Sequence, residues 1–359
     1  MEKVGHAVFL TASAALIGVF CVAAGARADA PPILLGAVMT LSGEGAEQDA
    51  DLAYGYLTAI EALNDAGGVL VGDVRRPLAL EIMDDRGSER RAAALADVLV
   101  RRRDVTLFLA SSNLPMVRAI AEEVAVYGFP VIDPTGYRAS GTTPGNVFSV
   151  VPAIEDRAAA ALAGLVVAYR MAGRSAAEVA IEVRGVSETE VNVLRKVVAG
   201  WGFTPAIDTP GVPDVELVGS LVRRSAGLDA GVIVLMTCDN ARFVVASKVG
   251  GVVLCVDHRA GHGGTNTPFP GWFSQLETGL ERDGALAIMA IALAIERARS
   301  IHGPVVADVM GTASLMTPSG PVRIESGYNT AASLAVFSVT DQGFIPFRST
   351  DPLGLSGIE

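Results

Sequence analysis

Between Val105 and Tyr137 the chain changes its pattern in a way that leaves few folds open. Val105–Ala110 reads as a buried strand, Ser111-Ser112-Asn113 as a tight polar turn, and the residues after it as a helix. Phe129–Ile132 then reads as a second strand that runs into Pro134-Thr135-Gly136. Two strands joined through a helix lie parallel in one sheet. Ser111, Ser112 and Asn113 all suit the N-cap, and Pro115 suits the first helical turn, where a missing N–H costs nothing. Such a helix start carries unpaired N–H groups and a partial positive charge, which favours a carboxylate or another electron-rich group. Ligands of open α/β sheets bind at the carboxyl ends of strands. Ser111, Ser112, Thr135 and Gly136 are therefore candidate ligand-binding residues.

The same alternation extends in both directions. Upstream it gives strand Ile33–Thr40, the turn Leu41–Gly45, helix Leu52–Ala66 with a glycine stop at Gly67-Gly68, strand Pro77–Met83 and helix Glu89–Arg101. Downstream, helix Ile154–Met171, strand Val179–Arg184 and helix Glu188–Trp201 precede the loop Pro205–Pro213. Helix Glu216–Ser225, strand Gly231–Met236, helix Asn240–Lys248 and strand Val252–Val256 follow. The apolar centre of Asp283–Arg297 is too short to span a bilayer and has charged flanks, so it reads as a buried helix. Strands alternating with helices of this length predict a doubly wound parallel sheet. At 359 residues and 37.0 kDa the chain exceeds one compact core, so two domains are expected.

A net charge of −11, with no basic patch interleaved with aromatics, argues against a nucleic-acid partner. At the N-terminus Lys3 precedes an apolar run, Ala7–Ala24, and then Ala26-Arg27-Ala28. A positive start, an apolar middle and an A-x-A site describe a secretory signal peptide cut near Ala28, with an uncleaved anchor as the competing reading. Cleavage predicts an exported protein with no stable membrane insertion. Cys238 and Cys255 then remain, near the ends of consecutive expected strands; a disulfide and two buried thiols both stay open.

The segments ILLGAVMTLSGEGA, AYGYLTAIEALNDAGGVL, LEIMDDRGSERRAAALADVLV, FLASSN and PVIDPTG, in that order, resemble the first lobe of the type I solute-binding proteins of ABC importers. The resemblance is to the leucine/isoleucine/valine-binding kind. Asn146–Pro152 resembles that family's first crossing between lobes, the region after Asp257 the return crossing, and Thr317–Arg323 the third. The resemblance implies two doubly wound parallel-sheet lobes joined by three crossing segments. Residues 29–150 and 262–318 would form the first lobe, and residues 151–261 and 319–359 the second. It implies that Ser111 and Ser112 hold a ligand carboxylate and that Thr135 and Gly136 serve the same polar head. Tyr137 stands where amino-acid binders usually place a threonine, and Gln48 where some relatives put an aromatic ring. The second lobe lacks the family's tyrosine–glycine turn, and Glu188 or Asp239 is left to supply an acidic partner for an ammonium group.

For catalysis the sequence offers little: it has no G-x-S-x-G elbow, no P-loop and no zincin helix. No cofactor is expected. Asp257, His258 and His262 carry metal-ligating side chains, but Gly261, Gly263 and Gly264 make this stretch a loop, and no metal is expected either. The resemblance implies a non-enzymatic protein that captures a small polar molecule, an amino acid or a related carboxylate or amide, by hinge closure. It would deliver that ligand to the permease subunits of an ABC importer. An exported sensor of the same fold, feeding a receptor or regulator, is the alternative.

Overall fold

The computed structural model describes residues 30–43, 45–136, 144–184, 188–206, 213–218, 231–238, 252–258, 271–340 and 343–347, the side chains of 188–190 and 274 excepted. The first sheet is built from β1 (Ile33–Met39), β4 (Leu78–Asp84), β5 (Phe108–Leu109), β6 (Val131–Asp133) and β7 (Val147–Ser149). All its pairings are parallel, in the order β4-β1-β5-β6-β7. Helices α1 (Ala46–Asp65), α2 (Glu89–Arg103) and α3 (Leu114–Ala125) make the crossovers. A strand covered on both faces needs an unbroken apolar run, and ILLGAVM in β1 supplies one. One face packs against α1 and the other against α2 and α3. A short hairpin, β2 (Val69–Val71) with β3 (Val74–Arg76), precedes β4.

The chain order reverses at β1, which has β4 on one side and β5 on the other. Ligands of such sheets bind at the carboxyl ends of the strands beside this reversal of order.

The second sheet runs β17-β16-β12-β11-β10-β8-β9. It contains β8 (Ala180–Arg184), β9 (Thr204–Pro205), β10 (Val215–Val218), β11 (Val232–Leu235), β12 (Val252–Asp257), β16 (Ala335–Thr340) and β17 (Gly343–Pro346). Only β16 and β17 are antiparallel to their neighbours. Helices α4 (Ile154–Met171) and α5 (Glu188–Gly200) belong to this lobe, and α4 covers one face of its core. The other face holds Cys238 and Cys255, which form a disulfide.

Between the sheets run α6 (Gly279–Ala298), α7 (Gly303–Thr312) and a small sheet of β13 (Ser314–Thr317), β14 (Gly320–Glu325) and β15 (Tyr328–Asn329). Leu315, Val322 and Ile324 of that sheet pack into the first lobe's core. The chain thus passes between the two sheets three times: after β7, after β12 and after β15. The first and third passages are tied together, since Asn329 Nδ2 donates to the Val150 carbonyl (3.0 Å) and the Ser149 N–H to that of Gly327 (2.8 Å).

Helix α6 is apolar on nearly all sides and is accordingly buried, with a Thr278/Glu281 capping box at its start. It crosses α1 at very close range. A Cβ on Gly55 would fall 1.9 Å from the Glu281 carbonyl oxygen, and one on Gly284 2.7 Å from that of Leu52.

The third passage comes after β15, Thr317–Arg323 itself belonging to the β13–β14 hairpin, and two helix expectations change. Helix α1 starts at Ala46, not at Leu52, which brings Gln48 and Asp49 into its first turn. The segment expected as helix Glu216–Ser225 begins instead as strand β10, Val215–Val218, whose residues are all buried. Two parallel neighbours give that short run more burial than a surface helix could. The expected helix Asn240–Lys248 lies outside the described residues.

Candidate functional site at the strand ends

The loops after β1 and β5 meet around one carboxylate. Asp49, in the first turn of α1, is fully buried. Its Oδ2 accepts from the Thr40 N–H (2.6 Å) and the Ser111 hydroxyl (2.7 Å), and its Oδ1 accepts from the Ser112 N–H (2.6 Å). Hydrogen bonds to an ionised acceptor are the short, strong kind. Ser111 Oγ in turn accepts from the Asn113 N–H at 3.1 Å, so this serine serves the start of α3 and Asp49 together. Asn113 is the N-cap residue itself, without a capping side-chain bond. The turn just before α3, expected from the sequence to hold an anion, holds a carboxylate of its own chain through Ser111 and Ser112.

A second buried carboxylate adjoins it. Asp85 accepts from the Thr40 hydroxyl (2.8 Å) and the Gly87 N–H (2.8 Å) through Oδ1, while its buried Oδ2 has no hydrogen-bond partner. Burial raises the Asp85 pKa, and the nearby Asp49 and Asp84 charges push the same way, against the two hydrogen bonds. Tyr56, which donates to the Ala110 carbonyl at 2.8 Å, has its pKa raised well above normal by burial and by Asp133 and Asp49.

At the end of β6, the Thr135 N–H and hydroxyl both donate to Asp133 Oδ1 at 2.8 Å. The Thr135 carbonyl accepts from Arg157 Nη2 (3.1 Å), a buried guanidinium carried by α4 of the second lobe. Gly136 follows with φ +62°, and a Cβ there would meet the Pro152 carbonyl at 2.5 Å, so no other residue fits this approach to the first crossing. The two lobes thus touch at Thr135–Gly136. They touch again where His258, just past β12, hydrogen-bonds Asp283 of α6 (Nε2···Oδ1 3.0 Å), both side chains buried.

Of the residues expected at the site, Ser111, Ser112, Thr135 and Gly136 lie at the carboxyl ends of β5 and β6, and half-buried Gln48 precedes Asp49 in α1. Tyr137 and Asp239 lie outside the described residues, as does the Glu188 side chain. His258 is engaged with Asp283, and His262 also lies outside. Among the described residues no group of three His, Cys, Asp or Glu is placed to hold a metal ion. Sequence reasoning missed Asp49. Its one signal is an acidic residue seven positions after the Leu41-Ser42 turn, which normally reads as a first-turn dipole partner facing water.

The family model for periplasmic binding proteins matches residues 32–243, more than half of the chain. The chain belongs to the periplasmic binding protein family. No curated protein matches it. Among solved structures, a leucine-binding protein from Thermotoga maritima is similar with TM-score 0.66 at 17% identity, covering 88% of this chain and 97% of that one. A possible leucine/isoleucine/valine-binding protein from Rhodopirellula baltica gives TM-score 0.69 at 12% identity, covering 92% and 100%. A solute-binding protein of an ABC transporter from R. palustris, in complex with benzoate, gives 0.62 at 14%, covering 88% and 96%. At such identities these structures share the fold with this periplasmic binding protein. No helix among its described residues is long and apolar enough to cross a membrane.

Proposed function

We propose that this periplasmic binding protein is exported through a signal peptide cut near Ala28, captures a small polar ligand between its lobes, and presents it to the permease subunits of an ABC importer without catalysing a reaction. The observation that carries the reading is the cluster of polar groups at the carboxyl ends of β1, β5 and β6, beside the reversal of strand order and met by the second lobe at Thr135–Gly136. Family membership and the solute-binding neighbours support it. Gln48, Ser111, Ser112, Thr135 and Gly136 form the proposed docking wall. Tyr137, Glu188 and Asp239 are the proposed remaining contacts. The ligand class in view is amino acids and related carboxylates or amides.

In this mechanism the ligand docks on the first lobe and the second rotates over it about the three crossing segments. Closure is favoured only by contacts that the open form cannot make. Native mass spectrometry of the purified protein, paired with small-angle scattering before and after ligand removal, tests it. A co-purified small molecule whose removal expands the particle is expected. A ligand-free protein whose dimensions respond to no member of an amino-acid, amide, amine and carboxylate panel would remove the reading.

A further inference from the structure

The proposed docking wall carries a constraint on ligand chemistry that rests on the binding reading above. Three donors converge at the start of α3: the Ser111 hydroxyl, the Ser112 N–H and, from the end of β1, the Thr40 N–H. Their geometry suits a carboxylate, because a carboxylate of this chain already sits among them at 2.6–2.7 Å. Asp49 is not a surface side chain that an incoming ligand could brush aside. It is fully buried, and its place in the first turn of α1 ties it to the backbone at these strand ends. Displacing it would strand a charge inside the lobe.

We infer that Asp49 is a specificity-determining residue: it fills the anion cradle of the docking wall, so the ligand meets this wall with an amine or amide head and brings no carboxylate to Ser111 and Ser112. Three features bear this out. The cradle's donors are spent, as each of the three already serves Asp49. The surroundings are already negative: Asp85 is buried nearby with one oxygen unpartnered, and Asp133 lies beside Tyr56 across the same strand ends. A ligand carboxylate placed there would face like charge at close range, which lowers affinity by on the order of a hundredfold or more. Finally, a carboxylate offers about four acceptor positions. Asp49 has three occupied, two on Oδ2 and one on Oδ1, so it is held from both flanking loops and leaves no place among these donors for a second carboxylate.

The test uses the full mature protein, unfolded and refolded to strip co-purified ligand, and matched probes that differ only in the head group: leucine, leucinamide and isoamylamine, then benzoate, benzamide and benzylamine. Calorimetry is run on the wild type, Asp49→Gly and Asp49→Asn, with circular dichroism to confirm folding. The expected result is that the wild type binds an amide or amine at least about tenfold tighter than its matched acid. Asp49→Gly, whose cradle is empty, should gain affinity for the acids. Asp49→Asn, with the cradle filled but uncharged, should lose the preference for amines. Wild-type binding of leucine or benzoate as tight as that of the matched amide would overturn the inference and leave the binding function standing. If Asp49→Gly does not fold, the wild type and Asp49→Asn still decide. If no probe binds any variant, the molecule released in native mass spectrometry decides: one without a carboxylate supports the inference and a carboxylic acid overturns it. No released molecule and no probe binding would sink the solute-binding reading itself, and the inference with it.

Discussion

The tightest glycine contact among the described residues gives the sharpest stability prediction. Replacing Gly55 by alanine puts a Cβ 1.9 Å from the Glu281 carbonyl oxygen, 2.7 Å from its carbon and 2.8 Å from its Cα. All three atoms belong to the backbone of α6, so no side chain can swing clear. Real Cβ contacts stay beyond 3.0 Å, so α1 and α6 must separate by about 1 Å at the crossing. That separation loosens Leu52, Tyr56, Ala59 and the buried face of α6, all in one continuous core. Overpacking of this kind costs roughly 3 kcal/mol, against which alanine's better helix propensity returns about 1 kcal/mol. The net loss is about 2 kcal/mol, or a Tm drop of roughly 4–8 °C at 2–4 °C per kcal/mol. Urea unfolding followed by fluorescence is the assay. Trp272 packs against this core while Trp201 lies in the second lobe, so a Trp201→Phe background makes the signal report the first lobe. Gly311→Ala is the control. Gly311 sits exposed inside α7, and its Cβ would make ordinary contact with Phe148 at 3.5 Å, so a gain of about 0.4–1 kcal/mol is expected there. If Gly55→Ala behaves like Gly311→Ala, α1 and α6 do not cross as described.

The Cys238–Cys255 bridge closes a 17-residue separation, which in the chain-entropy picture contributes about 3 kcal/mol. A Cys238→Ala/Cys255→Ala protein should melt roughly 6–12 °C lower and lose its sensitivity to reductant; equal melting with and without reductant in the wild type would count against the bridge. Asp85 has its folded pKa raised above the ordinary 3.8 by burial, so it holds its proton longer folded than unfolded. Stability should therefore fall as pH rises from 3.8 through the raised value and then level off. Asp85→Asn should remove that segment of the melting-temperature profile, and an unchanged profile would show that another group carries it. Asp283→Ala leaves the His258 ring buried without its partner across the lobes, at a cost of about 1–3 kcal/mol; differential scanning calorimetry showing no loss would place the two lobes apart at this point.

Sequence alone disclosed the parts of this molecule that repeat a simple rule and missed the parts that depend on neighbours far along the chain. Strands such as Ile33–Thr40 were visible because burial on both faces forces an unbroken apolar run. The start of α3 was visible because Ser111–Asn113 and Pro115 form a local capping pattern. Val215–Val218 was misread because four apolar and acidic residues fit either periodicity. Burial between β8 and β11, which decides the matter, is supplied by residues before and after it in the chain. Asp49 failed to stand out for the same reason. An acidic residue in a first helical turn is ordinary, and only the arrival of Thr40, Ser111 and Ser112 on three sides converts it from a solvated dipole partner into a buried anion. The local sequence of the serines says only that they can donate. Which carboxylate they serve is set by the reversal of strand order at β1, where the first turn of α1 swings across the end of β5. The same topology that brings these strand ends together therefore also carries Asp49 among them. Ligand choice in this protein follows from one side chain placed by the fold, and cannot be transferred from the serine motif alone.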